Sequence, residues 1–203
     1  MFRPFLLVPA FLCLLLALPS WASAEARPSR ADLQRVLELH ARSSVRVRGP
    51  QNAGPGIIVG ADGQVLTAVS HVGSDSAQVV HAGNALTARV VLSSAALQVA
   101  VVAGPQGTWP AAPVRLVPEG LAGRWVVGVM PARKKGQRDT PKAAVAKAAP
   151  APFFDVDLTL APGSPLYDGD GRLVGLVVER RGRGARALLL SAVKAELASA
   201  DAP

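Results

Sequence analysis

Gly56-Ile57-Ile58-Val59-Gly60-Ala61-Asp62-Gly63-Gln64-Val65-Leu66-Thr67 runs on through Ala68-Val69-Ser70 to His71-Val72. Two short apolar runs, Ile57 to Val59 and Val65 to Ala68, flank Ala61-Asp62-Gly63. An Asp-Gly pair tolerates the positive φ of a tight turn, so this stretch predicts a β-hairpin. Upstream, Val45 and Val47 alternate with Arg46 and Arg48, the period of a half-buried strand. Downstream, Gln78 to His81 and Leu86 to Leu92 flank Ala82-Gly83-Asn84, a second hairpin, and Val99 to Ala103 is an uninterrupted apolar run suited to a buried strand.

The strand pattern pauses at residues 105–113, where Pro105, Gly107, Pro110 and Pro113 mark a linker. It resumes with Arg124 to Met130, Ala143 to Ala148, Phe153 to Leu158, Leu173 to Glu179 and Ala187 to Leu190, and a helix is predicted over Ala192 to Ala198. Two strand-rich halves joined by a Pro/Gly linker predict an all-β chain of two small barrels, residues 43–104 and 114–203, the second including the closing helix. Residues 25–42 carry Leu33, Val36, Leu37 and Leu39 mostly at helical spacing, a short helix leading in.

Residues 1–24 have the layout of a secretory signal peptide. Arg3 precedes an apolar run from Phe5 to Leu18, and Ala22-Ser23-Ala24 offers small residues for cleavage before Glu25. The run is too short to span a bilayer as a helix; an uncleaved membrane anchor is the alternative. The expectation is a periplasmic or secreted protein with no membrane span once the leader is removed. The single cysteine, Cys13, lies inside the leader, which excludes disulfides and thiolate chemistry from the processed chain. The net charge is +8, or +7 without Arg3. A basic surface attracts anionic envelope polymers and lipids, and nucleic acid is a poor partner for an exported protein.

Three segments, in this order, resemble the protease domain of the high-temperature-requirement (Deg-type) family of trypsin-like serine proteases. They are Gly56 to Val72, Ala88-Arg89-Val90-Val91 through Gln98-Val99-Ala100-Val101-Val102, and Val156-Asp157 through Ser164-Pro165-Leu166 to Gly171-Arg172-Leu173-Val174-Gly175-Leu176. The resemblance covers roughly residues 43–198 and implies a trypsin-like double β-barrel. The family's peptide-binding PDZ modules are not expected here, since the sequence reaches Pro203 without one.

Such a protease needs a serine nucleophile, a histidine base, a carboxylate to orient the imidazole, and backbone N–H groups for the oxyanion. The resemblance places the base at His71, but three residues instead of two separate it from Leu66-Thr67. An extra residue reverses side-chain direction unless a bulge or helical turn absorbs it. The carboxylate position holds Gln98. A glutamine there accepts a hydrogen bond but cannot offset an imidazolium charge, a loss of roughly four orders of magnitude in rate. Around the nucleophile three residues are missing, and an ungapped alignment puts Pro162 at that position. Ser164 is the remaining candidate nucleophile, followed directly by Pro165.

The leading expectation is therefore a catalytically inactive protease homologue that binds a protein, a peptide or an envelope component in the former substrate cleft. One alternative is an active endopeptidase using His71 and Ser164. Another is a binder of lipopolysaccharide or cell-wall polymer through an anionic-ligand patch of Arg133, Lys134, Lys135 and Arg138 with Arg180, Arg181, Arg183 and Arg186. No cofactor is expected. The pairs Asp155/Asp157 and Asp168/Asp170 have cation-binding spacing but read more simply as strand and turn residues.

Overall fold

The computed structural model describes residues 26–200 except 106, 133 and 135. The leader therefore lies outside the described residues, as do Arg133 and Lys135. Helix α1 (Arg30–Ser43) begins at a capping box: Asp32 N–H donates to the Ser29 hydroxyl, and the Asp32 carboxylate accepts from Ser29 N–H. Its apolar face buries Val36.

The first barrel follows without a break. Its strands are β1 (Ser44–Arg48), β2 (Ala53–Ile58), β3 (Gln64–Ala68), β4 (Ser76–His81), β5 (Asn84–Ser94) and β6 (Val99–Ala103). They close in the order β1-β2-β3-β6-β5-β4, antiparallel throughout. Alternation decides the inside. Val45, Val47, Ile58, Val65, Val79 and Val102 fill the barrel while Arg46 and Arg48 face out.

The second sheet contains β7 (Trp125–Met130), β8 (Thr140–Val145), β9 (Lys147–Ala148), β10 (Phe153–Val156), β11 (Pro165–Tyr167), β12 (Leu173–Arg181) and β13 (Gly184–Leu189). The order is β8-β7-β11-β12-β13-β10-β9. The end strands β8 and β9 are consecutive in the chain, joined through buried Ala146, so the sheet rolls back toward itself. Phe154, Val156, Leu160, Leu166, Val174 and Val177 form its core. Strand β11 has no signal in the hydrophobic pattern, because it is three residues long and opens with proline. At the first position of a strand the missing N–H removes no ladder bond.

A third apolar cluster locks the halves together. Ile57, Leu66 and Val101 from the first barrel meet Val127, Tyr167, Leu173 and Leu176 from the second, and Val36 of α1 and Val193 of α2 (Leu190–Ala200) join them. Each such side chain contributes about 1.5–3 kcal/mol when fully buried. In the absence of disulfides, this shared core fixes the cleft between the barrels.

Candidate functional site

The extra residue before His71 is absorbed by a 3-10 turn, Val69–His71, that follows β3 directly. The turn is pinned from the neighbouring strand, where the Gln98 carbonyl accepts from Val69 N–H at 3.2 Å. His71 is thereby carried inward and is 6 % exposed. Its Nδ1 lies 3.1 Å from the Thr67 hydroxyl. That hydroxyl donates its own proton to the Pro55 carbonyl at 2.8 Å. Thr67 is thus left to accept, which assigns the proton to Nδ1 and leaves Nε2 a bare acceptor. Burial holds the His71 pKa below its ordinary 6.5; the Pro55 carbonyl pulls upward and Arg46 adds to the lowering. The imidazole is neutral at neutral pH.

Gln98 does not orient it. The residue sits at φ +57°, and its side-chain amide donates to the Ala95 carbonyl at 2.6 Å on the exposed side of the loop. The Gln98 side chain makes no hydrogen bond to His71. Left-handed backbone at this corner turns the side chain away from the cleft while the carbonyl supports the histidine turn. Thr67 fills the orienting role, and its signal in the sequence was only its place four residues before His71.

Residues 161–164, the segment of the candidate nucleophile, form a single β-turn. Ser164 N–H donates to the Ala161 carbonyl at 3.1 Å across Pro162-Gly163. Pro162 occupies the position where fixed φ suits a type II turn, and Gly163, at φ +85°, the position that requires glycine. Gly163 also lies flat against His71: a Cβ there would stand 3.2 Å from ring atoms and collide with the Pro55 carbonyl. Its N–H donates to the Val177 carbonyl at 2.7 Å. Both backbone donors that flank the candidate nucleophile are thus committed to internal bonds. The Ser164 side chain is buried, and the His71 ring is hydrogen-bonded to Thr67 rather than to Ser164.

His71, Pro162 and Ser164 share one cleft of about 660 Å³ between the barrels, with His40, Arg46 and Asp139 at its walls. Four lining residues, Pro55, Pro131, Pro162 and Pro165, have no N–H to offer a ligand. His40 reaches the cleft from α1. Its Nδ1 is 3.2 Å from the hydroxyl of Tyr167, which is fully buried. Burial lowers the His40 pKa, with Asp139 opposing, and burial drives the Tyr167 phenol far above its ordinary range.

The arginine-rich segments are partly neutralised. Strands β7 and β12 flank β11 and run in the same direction, so the turns after Met130 and Arg181 leave the sheet at one end. Arg181 pairs with Glu179 at 3.0 Å, and Arg186 with Asp155 at 3.1 Å. Lys134, Arg138, Arg180 and Arg183 are exposed. Of the two acidic pairs, Asp155 meets Arg186 and Asp157 meets Lys147 at 2.6 Å. Asp168, buried, accepts from the N–H groups of Asp170 and Arg172 and pairs with Arg115 at 3.2 Å. Among the described residues no group of three or more metal-ligating side chains exists, and no helix is long and apolar enough to cross a membrane.

No family model matches the sequence, and no curated protein matches it. Solved structures do match the fold. The inactive form of the Rv3671c protease of M. tuberculosis H37Rv superposes with a TM-score of 0.68 at 21 % identity, over 88 % of this chain and 99 % of that one. The serine endoprotease of Yersinia pestis gives 0.69 at 18 % identity, over 87 % of this chain and 68 % of that one. The two barrels, the cleft between them and the flanking helices are those of the trypsin-like serine protease fold.

Proposed function

We propose that this chain is an exported, periplasmic trypsin-fold protein that does not turn over peptide bonds and uses its inter-barrel cleft to bind a protein or peptide ligand. One observation carries the reading: the N–H groups of Gly163 and Ser164 are both committed to backbone carbonyls. Acyl transfer needs donors aimed at the developing oxyanion, and losing a single one typically costs about 10²–10³ in rate. The site also lacks a carboxylate behind His71, where Thr67 stands instead.

A neutral imidazole with a fixed tautomer still serves binding, because Nε2 accepts a hydrogen bond. The prolines around the cleft supply no donors along that rim, so recognition falls to side chains: Arg46 for an anionic group, Asp139 for a cationic one, and His71 or Ser164 for a polar one. The leader, Phe5 to Leu18 with Ala22-Ser23-Ala24, supports export.

The rival reading, an endopeptidase using His71 and Ser164, draws on their shared cleft. Treating the purified protein with a fluorophosphonate probe beside a Ser164→Ala control separates the two. No labelling of folded protein is expected. Labelling that disappears in the control would establish an activated serine and remove the proposal.

A further inference from the structure

A second cavity lies on a different part of the surface, between α2, β3, β6 and the segment that follows the linker. Its volume is about 360 Å³, within the range of small-molecule sites, roughly 300–1,000 Å³. Eight of its ten lining side chains are apolar. Leu66, Val101 and Val193 are buried at its base, while Val114 and Leu116 stand at its edge, 42 % and 39 % exposed. Only four large apolar side chains are that exposed among the described residues, and two of them meet here.

The polar exception is the informative one. Leu190, Val193, Lys194 and Leu197 follow the i, i+3, i+4, i+7 spacing of one helix face, and all four line the cavity. Lys194 is exposed and lines the apolar cavity beside the other three, and no ion pair among the described residues engages its ammonium. The other polar group, Gln64, already donates its amide N–H to Asp62 at 3.1 Å. An ammonium without an internal partner next to an apolar cavity complements a ligand that joins an anionic group to an apolar tail.

The size decides what kind. A second copy would need about 800 Å² per partner, far more than two exposed side chains provide. A docking helix is about 10–12 Å across with its side chains, too wide for this volume. An unbranched alkyl chain is narrow, and each buried CH₂ contributes about 0.8 kcal/mol. We propose that this cavity binds the acyl chain of an anionic amphiphile, with Lys194 pairing its carboxylate or phosphate head. The site is separate from the inter-barrel cleft and stands whether or not that cleft binds a peptide.

The test is titration of the purified protein with 11-(dansylamino)undecanoate below its micellar concentration, read by dansyl fluorescence. Saturable one-to-one binding is expected, displaced by dodecanoate and by lauryl phosphate and at least tenfold less well by dodecanol. Leu116→Glu and Lys194→Glu replace exposed side chains, so folding survives, and each should weaken binding tenfold or more. A head-group preference between dodecanoate and lauryl phosphate identifies the source of the anion. Absence of saturable binding, or binding indifferent to both variants, would overturn the proposal. A dimer in sedimentation that Leu116→Glu dissociates would assign the surface to a second copy instead.

Discussion

The Nδ1 of His71 faces the Thr67 hydroxyl at 3.1 Å, and that hydroxyl donates a hydrogen bond to the Pro55 carbonyl. This chain orients its cleft histidine with a neutral relay that begins on the same strand. A carboxylate in that place would offset an imidazolium charge; a hydroxyl accepts the hydrogen bond but carries no charge to offset one. The relay keeps the imidazole positioned and removes the electrostatic reason for it to become a base.

Thr67→Val keeps the shape and removes the relay. It leaves the Nδ1–H and the Pro55 carbonyl without their partner inside the barrel interface, a loss of about 2–3 kcal/mol. Urea unfolding measures it, and Thr67→Ser should recover most of the loss. A Thr67→Val protein as stable as the parent would show that the relay does not hold the ring.

Acid should weaken the fold in a defined window. His71 and His40 both titrate below 6.5 in the folded state because burial disfavours their charged forms. The unfolded chain therefore binds more protons there, and their stabilising share is complete above about 6.5 and is lost as pH falls toward the folded values. Asp32, lowered from 3.8 by its Ser29 hydrogen bonds, acts in a separate, more acidic window. Urea midpoints measured between pH 8 and pH 5 should fall with acidification, and the slope should flatten in His71→Gln. An unchanged midpoint across that range would contradict the burial of both rings.

Restoring an acid by sequence position alone should restore nothing. Gln98→Asp places a carboxylate on a left-handed residue whose side chain points to Ala95, away from His71. Fluorophosphonate labelling of Gln98→Asp should stay as blank as the parent. Labelling in that variant would mean that the loop reorients and that the site lacks only charge.

Asp168→Ala should be among the more damaging polar substitutions. The carboxylate caps the turn through two N–H groups and ties the post-linker segment to it through Arg115. Losing these charge-assisted bonds costs about 2–4 kcal/mol by denaturant unfolding. Asp170→Ala, without that network, should change stability by less than about 0.5 kcal/mol.

The hairpin at Asp62-Gly63, the alternation of Val45 and Val47 with two arginines, and the Pro/Gly break at 105–113 were legible because they follow from backbone period and turn chemistry, which act over a few residues. Gln98 and Pro162 were marked as departures by the resemblance to the Deg-type domain, not by backbone period. What only the tertiary structure decided is where those residues point. A positive φ turned Gln98 outward, a 3-10 turn absorbed the extra residue before His71, the Ala161–Ser164 β-turn engaged the Ser164 N–H, and the Val177 carbonyl engaged the Gly163 N–H. The arginine segments were equally readable as charge, yet Arg186 meets Asp155 only through the register of β10 on β13. The packing of α2 is what brings Lys194 to the cavity beside Leu190, Val193 and Leu197. Side-chain direction and hydrogen-bond partners depend on contacts between residues far apart in the chain, which sequence period does not encode.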